Sequence, residues 1–525
     1  MRARIALVAI VSLASIVPSG AKPLDARAVL AAERLATGGR AWDRIGAAVV
    51  TGTITEGGAP GTFEKTIDWR NGHSRTTQVT GIARQLSGYD GVEWGSNNGI
   101  VNARDLPALI EDARSKAFVE RGGWREAAFA GNAGLRAVAA EDGQSVTIAF
   151  RPAGGSDVAL TFDATTHLVT RITVDTDDGP LVTTLSDWRS IGPVRYPFRQ
   201  DTIDSTGSET LLEVQSVRLQ RRADPAAFAR PRPVAHGHLL AGTSSTTPIT
   251  LTGSRQSHIL VPATIAGTET HLIFDTGAAN YYSPEAARRF GLAVSGGLNL
   301  TGVGESSTNG GFAVADRIAI GNAELRDETV IVAPLPFPST PTPQGPGAEG
   351  FAGFEFLYEF RTTIDYPART ITFASRDQPQ PAGGVKVPFY SDGHALYVEA
   401  EVEGHRGIFR LDTGDGSTVT IFPKFAALHA LDRGEGPAPA PSGGGIGGQV
   451  KARDVTFSRF TLAGLHFDNL PGRLSLNKAG AFTSRTLAGN LGAGVLRCFR
   501  ITFDYQGRTL TFEPGPPAPG CNGVH

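Results

Sequence analysis

Apolar and polar positions alternate along most of this chain, and the period of the alternation divides it. In "LDARAVLAAERLATGGRAWDRI", beginning at Leu24, Leu, Val and Ala recur at helical spacing until Gly38-Gly39 stops the run, which predicts a helix. The period then falls to two. "AAVVTGTIT", "TFEKTIDW", "SVTIAF", "DVALTF", "LVTRITVDT" and "LVTTLSDW" predict strands separated by Gly, Asp and Asn turns. "DLPALIEDARSKAFV" interrupts them as a second helix. The pattern describes one β-rich domain over 24–228, and the Pro/Ser/Thr-rich residues 229–247 read as a linker.

Beyond the linker the strand pattern occurs twice. "HLIFDTGAAN" ends an apolar run at Asp275-Thr276-Gly277, and "GIFRLDTGDGSTVTIFP" ends another at Asp412-Thr413-Gly414. Downstream lie "GFAGFEFLYEFRTTIDYPARTITF" (350–373) and "GNLGAGVLRCFRITFDYQGRTLTF" (489–512), which agree without gaps at twelve of twenty-four positions. Asp365 follows Asp275 by 90 residues and Asp504 follows Asp412 by 92. Each copy also has a Gly-rich turn, with Gly302 and Gly304 in "TGVGES" and Gly445 and Gly447 in "GGIGGQ". Each has a short helix after its tripeptide; Ser283 caps the first, with Pro284 in its first turn. The chain carries an internal duplication, with lobes over 248–375 and 385–514 and a tail over 515–525.

A duplicated β unit with one Asp-Thr-Gly per copy resembles the aspartic peptidases of the pepsin and retropepsin type, over about half the chain. The resemblance implies a mainly β fold in which two retropepsin-like barrel lobes form a bilobal peptidase. Asp275 and Asp412 would face each other in a cleft as the catalytic pair. Thr276 and Thr413 would bond across to the opposite strand. Gly277 and Gly414, lacking a Cβ, would let water and substrate backbone approach. Two adjacent carboxylates cannot both ionise cheaply, so the pair shares one proton and serves as general base and general acid toward a peptide carbonyl. The implied enzyme cleaves peptides or proteins, works best in acid, needs no metal or cofactor and binds statine inhibitors. A silent peptidase-like binding module is the alternative reading.

Three features depart from the family pattern. Asp415 follows Gly414 where the family has Ala or Ser; it is expected to face solvent. Asn490 replaces an apolar residue in the segment matching Phe351-Ala352-Gly353. The Gly-rich turns lack the tyrosine of pepsin-like flaps, so they resemble the retroviral kind. The insertion "PLPFPSTPTPQGP" could edge the cleft. Asp365 and Asp504 open matching hairpins and read as structural. Gly443, Gly445 and Gly448 have GxGxxG spacing but lack the strand and helix that a nucleotide cradle requires.

The domain over 24–228 resembles the lipoprotein-carrier, or outer-membrane lipoprotein-sorting, fold through "ATGGRAWDRI", "GYDGVEWGSNNG" and "LTFDATTHLVTRI". That resemblance implies a curved half-barrel with helices, able to hold a lipid or another apolar ligand. A spacer domain is the other reading. Trp94 and Trp124 are expected in its core.

The remaining features narrow the setting. Arg2 and Arg4, the apolar "IALVAIVSLASIV" and the small residues Ser19-Gly20-Ala21 read as a signal peptide over 1–21, so the mature protein is expected in the periplasm or outside the cell. No later run is apolar enough to span a membrane. A formal charge of −2 over 525 residues, without a basic block, argues against nucleic acid as a partner. His236 and His238 lack an evident third ligand and read as solvated. Cys498 and Cys521 could bridge in an oxidising compartment or remain free thiols; sequence leaves both open.

Overall fold

The computed structural model describes residues 24–516 and Cys521, apart from 127–128, 130–133, 141–142, 253–257, 336–346, 433 and 435–439. Residues 1–21, expected to be a signal peptide, and most of the Pro-rich insertion lie outside the described residues. The first domain is a thirteen-stranded antiparallel sheet in which Ala47–Glu56 pairs with both Ala59–Asp68 and Glu209–Gln220. Helices Ala26–Thr37 and Pro107–Glu120 pack on it. Asp25 caps the first helix by accepting the Arg27 N–H, and Gly38 ends it with φ 137°. A Cβ on Gly38 would lie 2.8 Å from the Pro193 carbonyl oxygen, so the stop requires glycine. Trp94 and Trp124 are buried, as their patterning suggests.

The second half is built around a six-stranded sheet shared by both copies. At its centre Arg361–Asp365 runs antiparallel to Phe499–Asp504. Thr363 and Thr502, the same position of each copy, face each other with hydroxyl oxygens 2.9 Å apart. A pseudo-twofold axis therefore passes between them. Asp365 and Asp504 accept the turn N–H groups of Ala368 and Gly507, and Arg369 and Arg508 sit in the left-handed region at φ 53° and 55°. Both aspartates are turn formers.

The symmetry corrects the linker boundary. Ser244–Pro248 pairs with Thr370–Ala374 as Val385–Pro388 pairs with Thr509–Pro514, and Gly237–Leu239 adds to the edge of Ala323–Val332. Residues from Gly237 onward thus belong to lobe 1. Their Ser and Thr content hid an alternation in which Ser245 and Thr247 are buried. Beyond the shared sheet, each copy folds its own sheet. In lobe 1 Thr268–Asp275 pairs antiparallel with His258–Ile265 and parallel with Gly350–Gly353. In lobe 2 His405–Asp412 pairs likewise with Leu396–Val402 and Gly489–Gly492. Such parallel pairs need long crossovers, which is why each aspartate and its supporting segment lie far apart in sequence.

The first domain touches both lobes. Asn98 donates to the Glu328 carboxylate of lobe 1 at 2.8 Å, and the Ser391 N–H of lobe 2 bonds to Asp105 at 2.7 Å. Arg485 of lobe 2 is ion-paired with Asp175 at 2.5 Å. Cys498 and Cys521 form a disulfide that pins the tail to lobe 2.

Candidate active site

Each tripeptide leaves its strand at the junction of the lobes. Leu272 and Phe274 point into the main core, as do Phe409 and Leu411 in the second copy, and this alternation delivers each aspartate to the strand's end. Asp275 and Asp412 are 8% and 6% exposed, and the Asp275 carboxyl lies against the Asp412 loop, its Oδ2 only 2.2 Å from where a Cβ on Gly414 would stand. The Gly277 N–H donates to Asp275 Oδ1 at 2.7 Å. The Gly414 and Asp415 N–H groups donate to Asp412 Oδ1, both at 3.0 Å. The loops are tied across the axis. The Thr276 hydroxyl donates to the Leu411 carbonyl and accepts the Thr413 N–H, while the Thr413 hydroxyl donates to the Phe274 carbonyl and accepts the Thr276 N–H. Both threonines are fully buried.

The glycines are required by space. A Cβ on Gly414 would lie 2.2 Å from Asp275 Oδ2, and one on Gly277 would lie 2.7 Å from Arg410 Nη2. A side chain at Gly414 would collide with the Asp275 carboxyl, whereas at Gly277 the obstacle is the far end of the Arg410 side chain.

Burial pushes the Asp275 carboxyl up to about 7, with the Asp412 charge adding to the rise and the Gly277 N–H and Arg410 opposing it. Asp412 is also raised, first by burial and further by Asp415, while Arg410 and Asn490 favour its ionised form. A pair arranged this way holds one proton through mildly acidic conditions, with the ionised form favoured on the Arg410 side.

Asp415 does not face solvent. It forms a buried ion pair with Arg473 at 2.9 Å, and Asn490 Nδ2 bridges Asp412 at 3.3 Å and Asp415 at 2.8 Å. Burial disfavours the Asp415 charge, but Arg473 and hydrogen bonds from Ser417 and Asn490 hold its carboxyl below the ordinary range. The two departures in the second copy, Asp415 and Asn490, are therefore one network, completed by Arg473. Reading the motifs singly hides it, because Arg473 lies 58 residues beyond Asp415.

The Gly-rich turns are hairpin tips, and they meet. Gly302 and Gly304 lie between Ser295–Thr301 and Ser307–Ile320; Gly445 ends Ala440–Gly445, and Gly447 lies between it and Gly448–Leu462. The Gly304 N–H donates to the Ile446 carbonyl at 3.0 Å, and the Ser306 N–H donates to the Gly447 carbonyl at 2.9 Å. A cavity of about 320 Å³ lies against both tips, bordered by Leu335 and Ile446. Gly443, Gly445 and Gly448 belong to this second hairpin and its turn. The glycines allow backbone to pass against backbone there, since a Cβ on Gly304 would fall 2.1 Å from the Gly447 carbonyl carbon.

Arg410 was missed by motif reading. It lies two residues before Asp412, its Nη2 donates to the Gly277 carbonyl at 2.5 Å, and its Nε stands 4.0 Å from Asp412 Oδ2. The available signal was a comparison of the copies, since the first has Ile273 at this position. His236 lies apart from the site and contacts the Arg326 carbonyl at 2.8 Å. Among the described residues no group of three His, Cys, Asp or Glu side chains could hold a metal.

Comparison with known proteins places part of this arrangement. The aspartyl protease family model matches residues 261–356, so lobe 1 is aspartyl-protease-like. A search of curated proteins finds no match. Among solved structures, a retropepsin-like aspartic protease from Rickettsia conorii is 21% identical, covering 25% of this chain and 98% of its own, with a TM-score of 0.19. Basic 7S globulin from soybean is 12% identical, covering 54% and 99%, with a TM-score of 0.32. A putative outer membrane lipoprotein-sorting protein domain from Vibrio parahaemolyticus is 10% identical, covering 38% and 95%, with a TM-score of 0.28.

Proposed function

We propose that this chain is an exported aspartic endopeptidase whose catalytic pair is Asp275 and Asp412. The observation that carries the reading is the buried carboxyl pair, one from each copy, braced by reciprocal threonine bonds. In the proposed reaction the ionised Asp412 takes a proton from water as the water oxygen bonds to the peptide carbonyl carbon. Asp275 gives its proton to the carbonyl oxygen, forming a neutral diol. Asp412 then passes its proton to the amide nitrogen, the C–N bond breaks, and a diol hydroxyl returns a proton to Asp275. Arg410 and Asn490 favour charge on Asp412, which suits it to the base role. Export rests on the leader-like first residues; no helix among the described residues is long and apolar enough to cross a membrane.

The test is digestion of a diverse peptide library from acidic to neutral pH by wild type, Asp275→Asn and Asp412→Asn. Cleavage by wild type and its loss in both variants is the expected result. Full activity in either variant rules out the shared pair.

A further inference from the structure

The two copies share a strand register, so each residue of one cleft wall has a counterpart in the other. In lobe 1 the row two residues before the aspartate runs across adjacent strands as Leu260, Ile273, Phe351, Tyr281 and Ile331. In lobe 2 the same row runs as Tyr397, Arg410, Asn490, Thr420 and Arg473. The first row forms an apolar cluster that also takes in Leu300, Leu335 and Ile446 of the flap region. The second is polar throughout and carries two guanidinium groups.

Those two cations differ in how they are compensated. Arg473 is ion-paired with Asp415 at 2.9 Å and donates to the Thr420 hydroxyl at 2.8 Å. Arg410 has a single hydrogen bond among the described residues, to the Gly277 carbonyl, and its buried Nε has no hydrogen-bond partner. Its side chain is 18% exposed, and among the described residues the only carboxylate within 4.0 Å is the catalytic Asp412. Asp392 and Asp275 also act on it; the Asp392 oxygens already accept the His394 and Ala395 N–H groups and the Tyr397 hydroxyl, and Asp275 Oδ1 accepts the Gly277 N–H. A desolvated guanidinium with N–H groups to spare is strongly favoured by a carboxylate that reaches it, and leaving it unmatched is costly.

On the reading of the site as a peptidase, we infer that the cleft takes a junction between an apolar and an acidic residue, the apolar side chain resting on lobe 1 and the carboxylate meeting Arg410. The lobes are thus chemically unequal around one bond. Arg410 acts as the specificity-determining residue of the lobe 2 side, and Ile273 with Phe351 supplies the opposite wall.

The test uses four peptides of one framework that carry Leu-Glu, Glu-Leu, Leu-Leu or Glu-Glu at a central junction. They are presented to wild type, Arg410→Ile (the first copy's residue) and Arg410→Lys, each confirmed as folded by circular dichroism. Hydrolysis is read as kcat/KM. Binding of the same labelled peptides is read by fluorescence anisotropy in the Asp275→Asn background, so the preference is measured whether or not the bond is cut. The expected result is that one of the two mixed junctions exceeds Leu-Leu by about ten-fold or more in wild type. Arg410→Lys should keep that order, and Arg410→Ile should reverse it in favour of Leu-Leu. Equal handling of mixed and Leu-Leu junctions, an unchanged preference in Arg410→Ile, or no binding of any peptide overturns the inference. Selective binding without hydrolysis overturns the peptidase reading and leaves Arg410 as the selector.

Discussion

Thr276 and Thr413 hold each other through a reciprocal pair of bonds: each hydroxyl accepts the other's backbone N–H, at 3.1 and 3.0 Å, and donates to a carbonyl of the opposite strand. Four bonds across the pseudo-twofold axis fix the separation of the aspartates that precede these residues. The positions are fully buried, so no solvent can replace a lost partner.

Replacing either threonine by valine keeps the side chain's volume and removes two of the four bonds. The expected cost is about 1–3 kcal/mol for the buried groups left unpaired, read as a lowered Tm. Activity should fall further than stability, because the two loops lose their register. Thr276→Ser, which keeps the hydroxyl, should recover most of the activity.

Stability should fall as pH rises toward neutrality. The Asp275 carboxyl is raised to about 7 in the fold from an ordinary value of 3.8, so between those values the native state binds more protons than the unfolded chain. Its stabilising contribution is complete below the unfolded value and is lost as pH rises through the folded one. Burial raises Glu355 to about 7 and, with the neighbouring Glu355 charge, Glu328 to about 9, which acts in the same direction. Chemical denaturation from about pH 4 to about pH 8 should show the decline, and Asp275→Asn should flatten part of it. Activity should fade over the upper end of that range as the shared proton is lost.

Gly414→Ala should abolish hydrolysis. The new methyl would stand 2.2 Å from Asp275 Oδ2, so one loop must move and the carboxylates separate. The measurement is kcat/KM, alongside a thermal melt that shows whether the fold persists. Retained activity would mean that the loops are looser than this packing implies.

The Asp415–Arg473 pair gives a double-mutant prediction. Arg473→Met leaves the Asp415 carboxylate buried without its cation, at an expected cost of about 3–5 kcal/mol. Asp415→Asn with Arg473→Met should be less destabilised than Arg473→Met alone. Denaturation midpoints of the two singles and the double give the coupling.

Breaking the disulfide should loosen the end of lobe 2. Cys498 and Cys521 close a loop of sequence separation 23, and constraining a loop of this size contributes about 3 kcal/mol. Cys521→Ser should lower the Tm, and a reducing agent should lower that of wild type but not of the variant.

Much of the candidate site was legible in the sequence. Two Asp-Thr-Gly tripeptides after apolar strands, equal spacing to Asp365 and Asp504, and Gly-rich turns between them are local patterns, repeated because the fold is duplicated. Alternation along "HLIFD" and "IFRLD" identified strands that bury one face and end at an aspartate, since side-chain direction in a strand depends only on sequence parity. What the tertiary structure decided are relationships between residues distant in sequence. Asp415 looked solvent-facing because its partner Arg473 arrives from another strand 58 residues away. Residues 244–247 looked like linker because the strand they pair with, Thr370–Ala374, lies more than a hundred residues downstream. Arg410 is one charge in an apolar run, and the shared register makes it the counterpart of Ile273. Local sequence specifies which face a side chain takes, and only the packed lobes determine which charges meet across the cleft.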